Sequence, residues 1–262
     1  MNARFEGQVA IITGASADPS IGRETARRLA SEGASVVLNA RREKELAAAA
    51  AELRDRGHQA LAVPGSALDA EIPGRLVDAA FDTFGRLDLI VNTVGGTTDR
   101  THILEAGLPG ILDTVALNVG PTLAVVQAAA RRGMPPGSSI VNVTSPSPVK
   151  GTANRVAYAA AKSALDAMTN TLATVLARDG IRVNSVRPGL TRTTYTEAFW
   201  AADDGQEAAA RHPLGQLTEA SHIAAAIAFL LSADAAAITG VVLDVDMGDH
   251  LGSQWSPVKP GM

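Results

Sequence analysis

The chain has no cysteine. That absence excludes disulfides, zinc–thiolate sites and a cysteine nucleophile. Aromatic residues make up only 3% of it, with two tyrosines in all, so each phenol is worth locating. No excess of positive charge is present. The 23 Lys and Arg stand against 27 Asp and Glu, for a net charge of -4, which leaves no electrostatic footprint for nucleic acid. No apolar run reads as long enough to cross a bilayer, so no membrane contact is expected. The first residues, Met-Asn-Ala-Arg-Phe-Glu-Gly, lack the apolar stretch of a signal peptide, and a cytoplasmic location is the expectation. The histidines His58, His102, His212, His222 and His250 are scattered, none paired at a metal-ligand spacing, so no metal site is expected.

What is present is an ordinary globular composition, with 46% apolar and 19% charged residues over 262 positions. A chain of that length can bury one sizeable core. Apolar, β-branched runs alternate with Ala-rich stretches of helix length. The runs Val9–Thr13, Ser35–Asn39, Gln59–Val63, Leu87–Val91, Ser139–Thr144, Arg182–Val186 and Val241–Val245 predict strands. Between them, helices are predicted over Ile21–Glu32, Glu43–Arg56, Glu71–Phe84, Gly110–Arg131, Val156–Arg178 and Glu219–Ser232. Strands that are apolar throughout imply a parallel sheet covered on both faces. Right-handed crossovers then give a Rossmann-type α/β fold, a doubly wound parallel sheet of about seven strands. No linker, repeat or low-complexity block divides it, so residues 1–262 read as a single domain.

Three motifs carry chemistry. Between the first strand and helix lies Thr13-Gly14-Ala15-Ser16-Ala17-Asp18-Pro19-Ser20-Ile21-Gly22. Glycines there let the backbone approach a pyrophosphate, and the helix N-terminus favours its charge. Tyr158 and Lys162 are spaced by four, which puts both on one helix face. A free phenol titrates near pH ~10, and a nearby ammonium favours the phenolate. Ser145 ends the run Ile140–Thr144, at the edge of the sheet where ligands of open α/β folds bind. A hydroxyl there can hold a carbonyl oxygen as negative charge develops on it.

Together with Pro188-Gly189, these motifs occur in one order, and the chain resembles the classical short-chain dehydrogenase/reductase family, in its ketoreductase-like form. The resemblance runs from Phe5-Glu6-Gly7 to Asp246-Met247-Gly248. It implies a catalytic tetrad of Asn118, Ser145, Tyr158 and Lys162, with Asn118 holding a water in a proton relay. It also implies cofactor contacts at Gly14, Ser16, Ser20, Ile21, Gly22, Ser66, Ala67, Asn92, Val94, Gly95, Tyr158, Lys162, Pro188, Gly189, Thr191 and Thr193. The activity implied is reversible reduction of a carbonyl, such as a 3-oxoacyl thioester or another ketone. Tyr158 exchanges the proton, and Lys162 contacts the nicotinamide ribose. The family likeness further implies a homotetramer, or a homodimer, with the helices near Asn118 and Tyr158 at one interface.

The cofactor is read from the residues after the second strand. An acidic residue there binds the ribose hydroxyls of NAD. Here Ala40 is followed by Arg41 and Arg42. Guanidinium groups bind an extra phosphate well, so NADP(H) is the expected cofactor and NAD(H) the alternative. Arg41 is the main candidate; Arg42 either shares its role or is a surface charge at a helix start.

The sequence departs from the family pattern in three places. The glycine-rich turn is two residues longer, with Ser20 where a glycine is usual, a form similar to the enoyl reductases of the same superfamily. Those separate Tyr and Lys by six residues, and the residue seven before Lys162 is Arg155. Ser66 stands where an adenine-binding Asp is common, and Met247 interrupts an Asp-Gly-Gly. Loops over Gly96–Thr101, Pro146–Arg155 and Leu190–Arg211 are expected to frame a small-molecule substrate. Residues 190–215, with Tyr195, Phe199 and Trp200, form either a lid over an apolar substrate or an ordinary packing or subunit contact. Imine or enoyl reduction on the same fold, and a non-catalytic cofactor-binding module, are the alternative functions.

Overall fold

Runs of Val, Ile and Leu without a polar face must be covered on both sides, and each becomes a central strand. The computed structural model describes residues 3–148, 151, 153–200 and 204–251, with the side chains at 199, 200, 204, 206, 208 and 211 left aside. Strand β1 spans Val9–Thr13, β2 Ser35–Ala40, β3 Ala60–Pro64 and β4 Leu89–Asn92. β5 is Ser139–Val143 and β6 Arg182–Pro188. Two short strands, β7 (Thr191–Arg192) and β8 (Thr218–Glu219), pair with each other, and β9 is Val242–Val245. The main sheet has seven parallel strands in the order β3-β2-β1-β4-β5-β6-β9. The order reverses between β1 and β4, and a crevice opens there at the carboxyl ends of the strands.

Alternate side chains of the same strands feed two separate cores. Ile12, Leu38, Leu29, Leu46 and Ile227 join under α1 (Ile21–Ser31), α2 (Glu43–Asp55) and α8 (Ala220–Leu231). Ile11, Val37, Leu76, Val125 and Leu176 join under α3 (Ile72–Phe84), α4 (Leu108–Arg132) and α5 (Val156–Leu176). Each fully buried Leu or Ile stabilises the fold by about 1.5–3 kcal/mol. Two further helices, α6 (Glu197–Trp200) and α7 (Asp204–Arg211), lie with β7 in the segment 190–215 expected to be a lid, and β8 falls just beyond it.

Several boundaries differ from the sequence reading, each for a physical reason. β4 begins at Leu89, two residues after the predicted start; Asp88 ahead of it bonds Val9 twice, its amide donating to the carbonyl at 3.0 Å and its carboxylate accepting from the amide at 2.9 Å. α4 starts two residues early because Pro109 fits the first helical turn. α5 ends at Leu176 in a 3₁₀ turn closed by left-handed Gly180, with φ of 71°. By length and composition α4 meets the test for a bilayer span, which corrects the expectation of no such run. It packs on α3 and α5, with Val125, Val126 and Ala129 in the core.

Candidate active site

The phosphate end is built by the turn after β1. Gly14 has φ of 71°, a left-handed conformation that favours glycine. At Gly22 a Cβ would lie 2.6 Å from the Gly14 carbonyl oxygen, so close approach excludes any larger residue. Ser20 takes the N-cap of α1; its hydroxyl accepts from the Arg23 amide at 3.1 Å and donates to the Ala17 carbonyl at 2.8 Å. The serine that departs from the family pattern thus does the work of a helix cap. The lengthened turn also reaches the far side of the crevice. The Pro19 carbonyl accepts from both the amide of Thr194, at 2.9 Å, and its hydroxyl, at 3.1 Å.

From the α1 N-terminus a cavity of about 450 Å³ runs along the sheet edge. Gly14, Ser20, Ile21 and Gly22 line one end. Gly95, Ser145, Tyr158 and Lys162 line the other, with Pro188, Gly189, Thr191 and Thr193 along one wall. Asn118 stands behind Gly95 and Gly96. It is fully buried on α4, its amide donating to the carbonyls of Gly96 and Thr114 at 2.7 Å. Pro121 on the same helix has no amide proton, which leaves the Leu117 carbonyl without its helical donor. A Cβ at Gly95 would come within 2.5 Å of the Asn118 oxygen and 2.8 Å of the Lys162 ammonium. Asn118 and Lys162, forty-four positions apart in sequence, therefore converge on one glycine.

Lys162 is buried, and its ammonium donates to the Val143 carbonyl at 3.1 Å. It lies 5.6 Å from the centre of the Tyr158 ring. Burial lowers its pKa from 10.5 to about 8, against the opposing charge of Asp166. Burial pushes the Tyr158 phenol up, while the Ser145 hydroxyl and the charge of Arg155 pull it down. The Ser145 hydroxyl donates to that of Ser147 at 3.1 Å and accepts from the Ser147 amide at 3.2 Å.

Other expected cofactor residues sit off the cavity lining. Ser16 and Val94 are half-buried beside it. Asn92 is buried and donates to the Asn142 side chain at 2.9 Å. The Ser66 hydroxyl accepts from the Leu68 amide at 3.3 Å, and Ala67 is buried next to it. Arg41 is exposed with no ion pair among the described residues, and Arg42 reaches Glu45 at 3.7 Å. An open guanidinium, no carboxylate at Ala40 and a helix N-terminus facing the cavity form a donor set that fits NADP. Tyr195 lines the cavity and its hydroxyl accepts from Arg100 at 2.9 Å, while Phe199 and Trp200 have side chains outside the described residues. Asp244, Asp246 and His250 bring ligand-type atoms within 4.8 Å, but Arg187 holds Asp244, and Asp246 is spent on the Gly248 and His250 amides.

The sequence reading missed a buried polar chain beneath the site. Asn142 on β5 accepts from Asn92 on β4 and donates to Thr169 on α5 at 2.9 Å. Thr169 meets Ser185 of β6 at 2.8 Å. Asn142 interrupts an apolar run, and a polar residue at a buried strand position is the signal that points to it.

A doubly wound sheet with a Tyr–Lys pair at its switch point defines a dinucleotide-dependent oxidoreductase. Known proteins narrow the class. A family model described as "Enoyl-(Acyl carrier protein) reductase" matches residues 14–250. The chain is 36% identical to the cis-4-hydroxycyclohexanecarboxylate dehydrogenase of Sinomonas cyclohexanicum, over 95% of this chain and 98% of that one. It is 34% identical to a 3-oxoacyl-[acyl-carrier-protein] reductase of Synechocystis, over 92% and 96%. A short-chain dehydrogenase from Burkholderia cenocepacia solved in complex with NADP superposes with a TM-score of 0.84 at 30% identity, covering 94% of this chain and 98% of that one. The chain belongs to the short-chain dehydrogenase/reductase family. It is an oxidoreductase.

Proposed function

We propose that the protein is an NADP(H)-dependent enzyme interconverting a ketone and a secondary alcohol, with Tyr158 as the proton-exchanging group. The observation that carries this reading is the meeting of Ser145, Tyr158 and Lys162 in one cavity that starts at the α1 N-terminus. The turn Gly14–Gly22 and the wall at Thr191 and Thr193 hold the dinucleotide, and Arg41 binds the 2′-phosphate. When bound, the nicotinamide supplies the hydride that adds to the carbonyl carbon. Tyr158 gives its hydroxyl proton to the carbonyl oxygen, so the C=O becomes CH–OH. Ser145 donates a hydrogen bond to that oxygen as charge develops there. Lys162 holds the nicotinamide ribose and, with Asn118, restores the proton to Tyr158. In the oxidative direction Tyr158 is the base.

Enoyl reduction is the second reading, favoured by the long turn and by the description of the matching family model. The four-residue spacing of Tyr158 and Lys162 speaks for the carbonyl reaction. Two relatives are named for ring alcohols, a hydroxycyclohexanecarboxylate and a 7alpha-hydroxysteroid, so cyclic ketones head the test panel. NADPH absorbance, followed with that panel and with an enoyl thioester, separates the two reactions. Tyr158→Phe is expected to cut ketone turnover by about 10³-fold, within the usual span for general acid catalysis, while NADPH still binds. Wild-type rates in that variant would end the assignment. We further propose that the chain is cytoplasmic and assembles as a homotetramer, with α4 and α5 at one interface.

A further inference from the structure

Arg155 is out of place by every local rule. It is the N-cap of α5, where Ser, Thr, Asp or Asn is preferred, and its side chain makes no capping hydrogen bond. A cation there opposes the positive end of the helix dipole. The first turn of α5 carries no acidic residue to offset it. Among the described residues it has no ion-pair partner, yet it lines the cavity and its charge reaches the Tyr158 phenol. The other charged lining residues are committed elsewhere. Lys162 is buried under the site, and Asp249 lies 3.4 Å from His212. A second cation stands behind a lining residue, outside the lining itself. Arg100 donates to Tyr195, the lid phenol near Tyr158, and makes no ion pair among the described residues. Its neighbour Asp99 is turned to the Thr101 amide, at 2.7 Å.

We propose that Arg155, assisted by Arg100, binds a carboxylate carried by the substrate, so that this enzyme selects a small keto or hydroxy acid. The inference rests on the carbonyl-reductase reading above and adds the substrate class to it. Arg155 and Tyr158 line the same cavity three positions apart in sequence, so an anion on the guanidinium and a carbonyl at the phenol belong to one small molecule. That short reach selects a compact acid. The phosphates of a coenzyme A thioester share its charge but lie a whole pantetheine arm away from the reacting carbon.

The test compares NADPH oxidation with 4-oxocyclohexanecarboxylate, its methyl ester and acetoacetyl-coenzyme A, in wild type, Arg155→Ala and Arg155→Lys. Wild type is expected to prefer the acid to the ester by about tenfold or more in kcat/KM, mainly through KM, as for a charge-assisted contact. In Arg155→Ala the acid is expected to lose about tenfold to a hundredfold more than the ester does, and Arg155→Lys to recover part of the loss. Arg100→Ala should show a smaller loss of the same selectivity. Calorimetry with NADP⁺-saturated enzyme gives a readout independent of turnover. Cyclohexanecarboxylate is expected to bind at least about tenfold tighter than cyclohexanecarboxamide, and Arg155→Ala to erase the difference. Equal losses for acid and ester would make Arg155 a group that acts on Tyr158 alone, and would overturn the proposal. So would a preference for acetoacetyl-coenzyme A that Arg155→Ala removes, or equal binding of acid and amide. If no ketone is reduced, the carbonyl reading fails by itself, and the calorimetric comparison still decides the carboxylate site.

Discussion

At the scale of single residues, burial sets the chemistry as much as residue type does. Lys162 titrates near 8 in the fold and near 10.5 outside it. Below pH 8 both forms are protonated, and the folded protein bears the whole cost of a buried ammonium. Between about 8 and 10.5 the unfolded chain binds more protons, so folding stability rises with pH through that window. Chemical denaturation with no nucleotide added is expected to show that rise in wild type and its loss in Lys162→Met. A flat wild-type profile would refute the buried ammonium. At the other end of the crevice, Arg41 stands open after β2. Its substitution by Ala is expected to weaken NADPH by about tenfold to a hundredfold, the worth of a charge-assisted phosphate contact, and NADH by less than about threefold. Fluorescence titration of the two coenzymes measures both. Tyr158, Lys162 and Ser145 were legible in the sequence because their relation is local, a helical spacing or a strand end. Arg155 was not, since a charge at the edge of a helix reads as surface until the cavity beside it is visible.

Elements were legible in proportion to their apolar content. β1 and β2 read directly from runs of branched apolar residues, β5 and β6 from shorter runs broken by Asn142 and by Asn184 and Ser185, and α1 and α2 from their length and flanking turns. The two-residue strands β7 and β8 carry too few positions to show any period. The helices α6 and α7 lie in an Ala- and Glu-rich stretch that the sequence reading assigns to a loop framing the substrate. Within the strands, the buried asparagines mattered more than their frequency suggests. Asn142 ties β4 and β5 to the helix that carries Tyr158 and Lys162. Asn142→Leu leaves the Asn92 amide unpaired in the core, while the Thr169 hydroxyl keeps Leu165 and Ser185, at an expected cost of about 1–3 kcal/mol. The denaturation midpoint reports that cost. A variant as stable as wild type would show that the chain of hydrogen bonds is dispensable.

For the whole molecule, the alternation of apolar runs and helix-length segments foretold the doubly wound sheet, because crossover handedness leaves few other topologies. How copies assemble depends on surfaces that one chain's pattern does not mark. α4 exposes Leu108 and Leu112, at 65% and 55%, and α5 exposes Val175 at 63%. Those side chains gain most from a partner. Sedimentation is expected to give four times the 26.9 kDa chain mass, and Leu112→Glu to give a smaller species. A monomeric wild type would remove the assembly from the account.

The bond pair between Pro19 and Thr194 joins regions that are usually thought of as independent. One belongs to the glycine-bearing turn before α1, proposed to hold the dinucleotide, the other to the 3₁₀ turn after β7, at the start of the proposed cover. In this enzyme, coenzyme preference and substrate choice are therefore not separable engineering problems. An edit at positions 16–20 made to retune the nucleotide also unfastens the hinge from which the opposite rim springs.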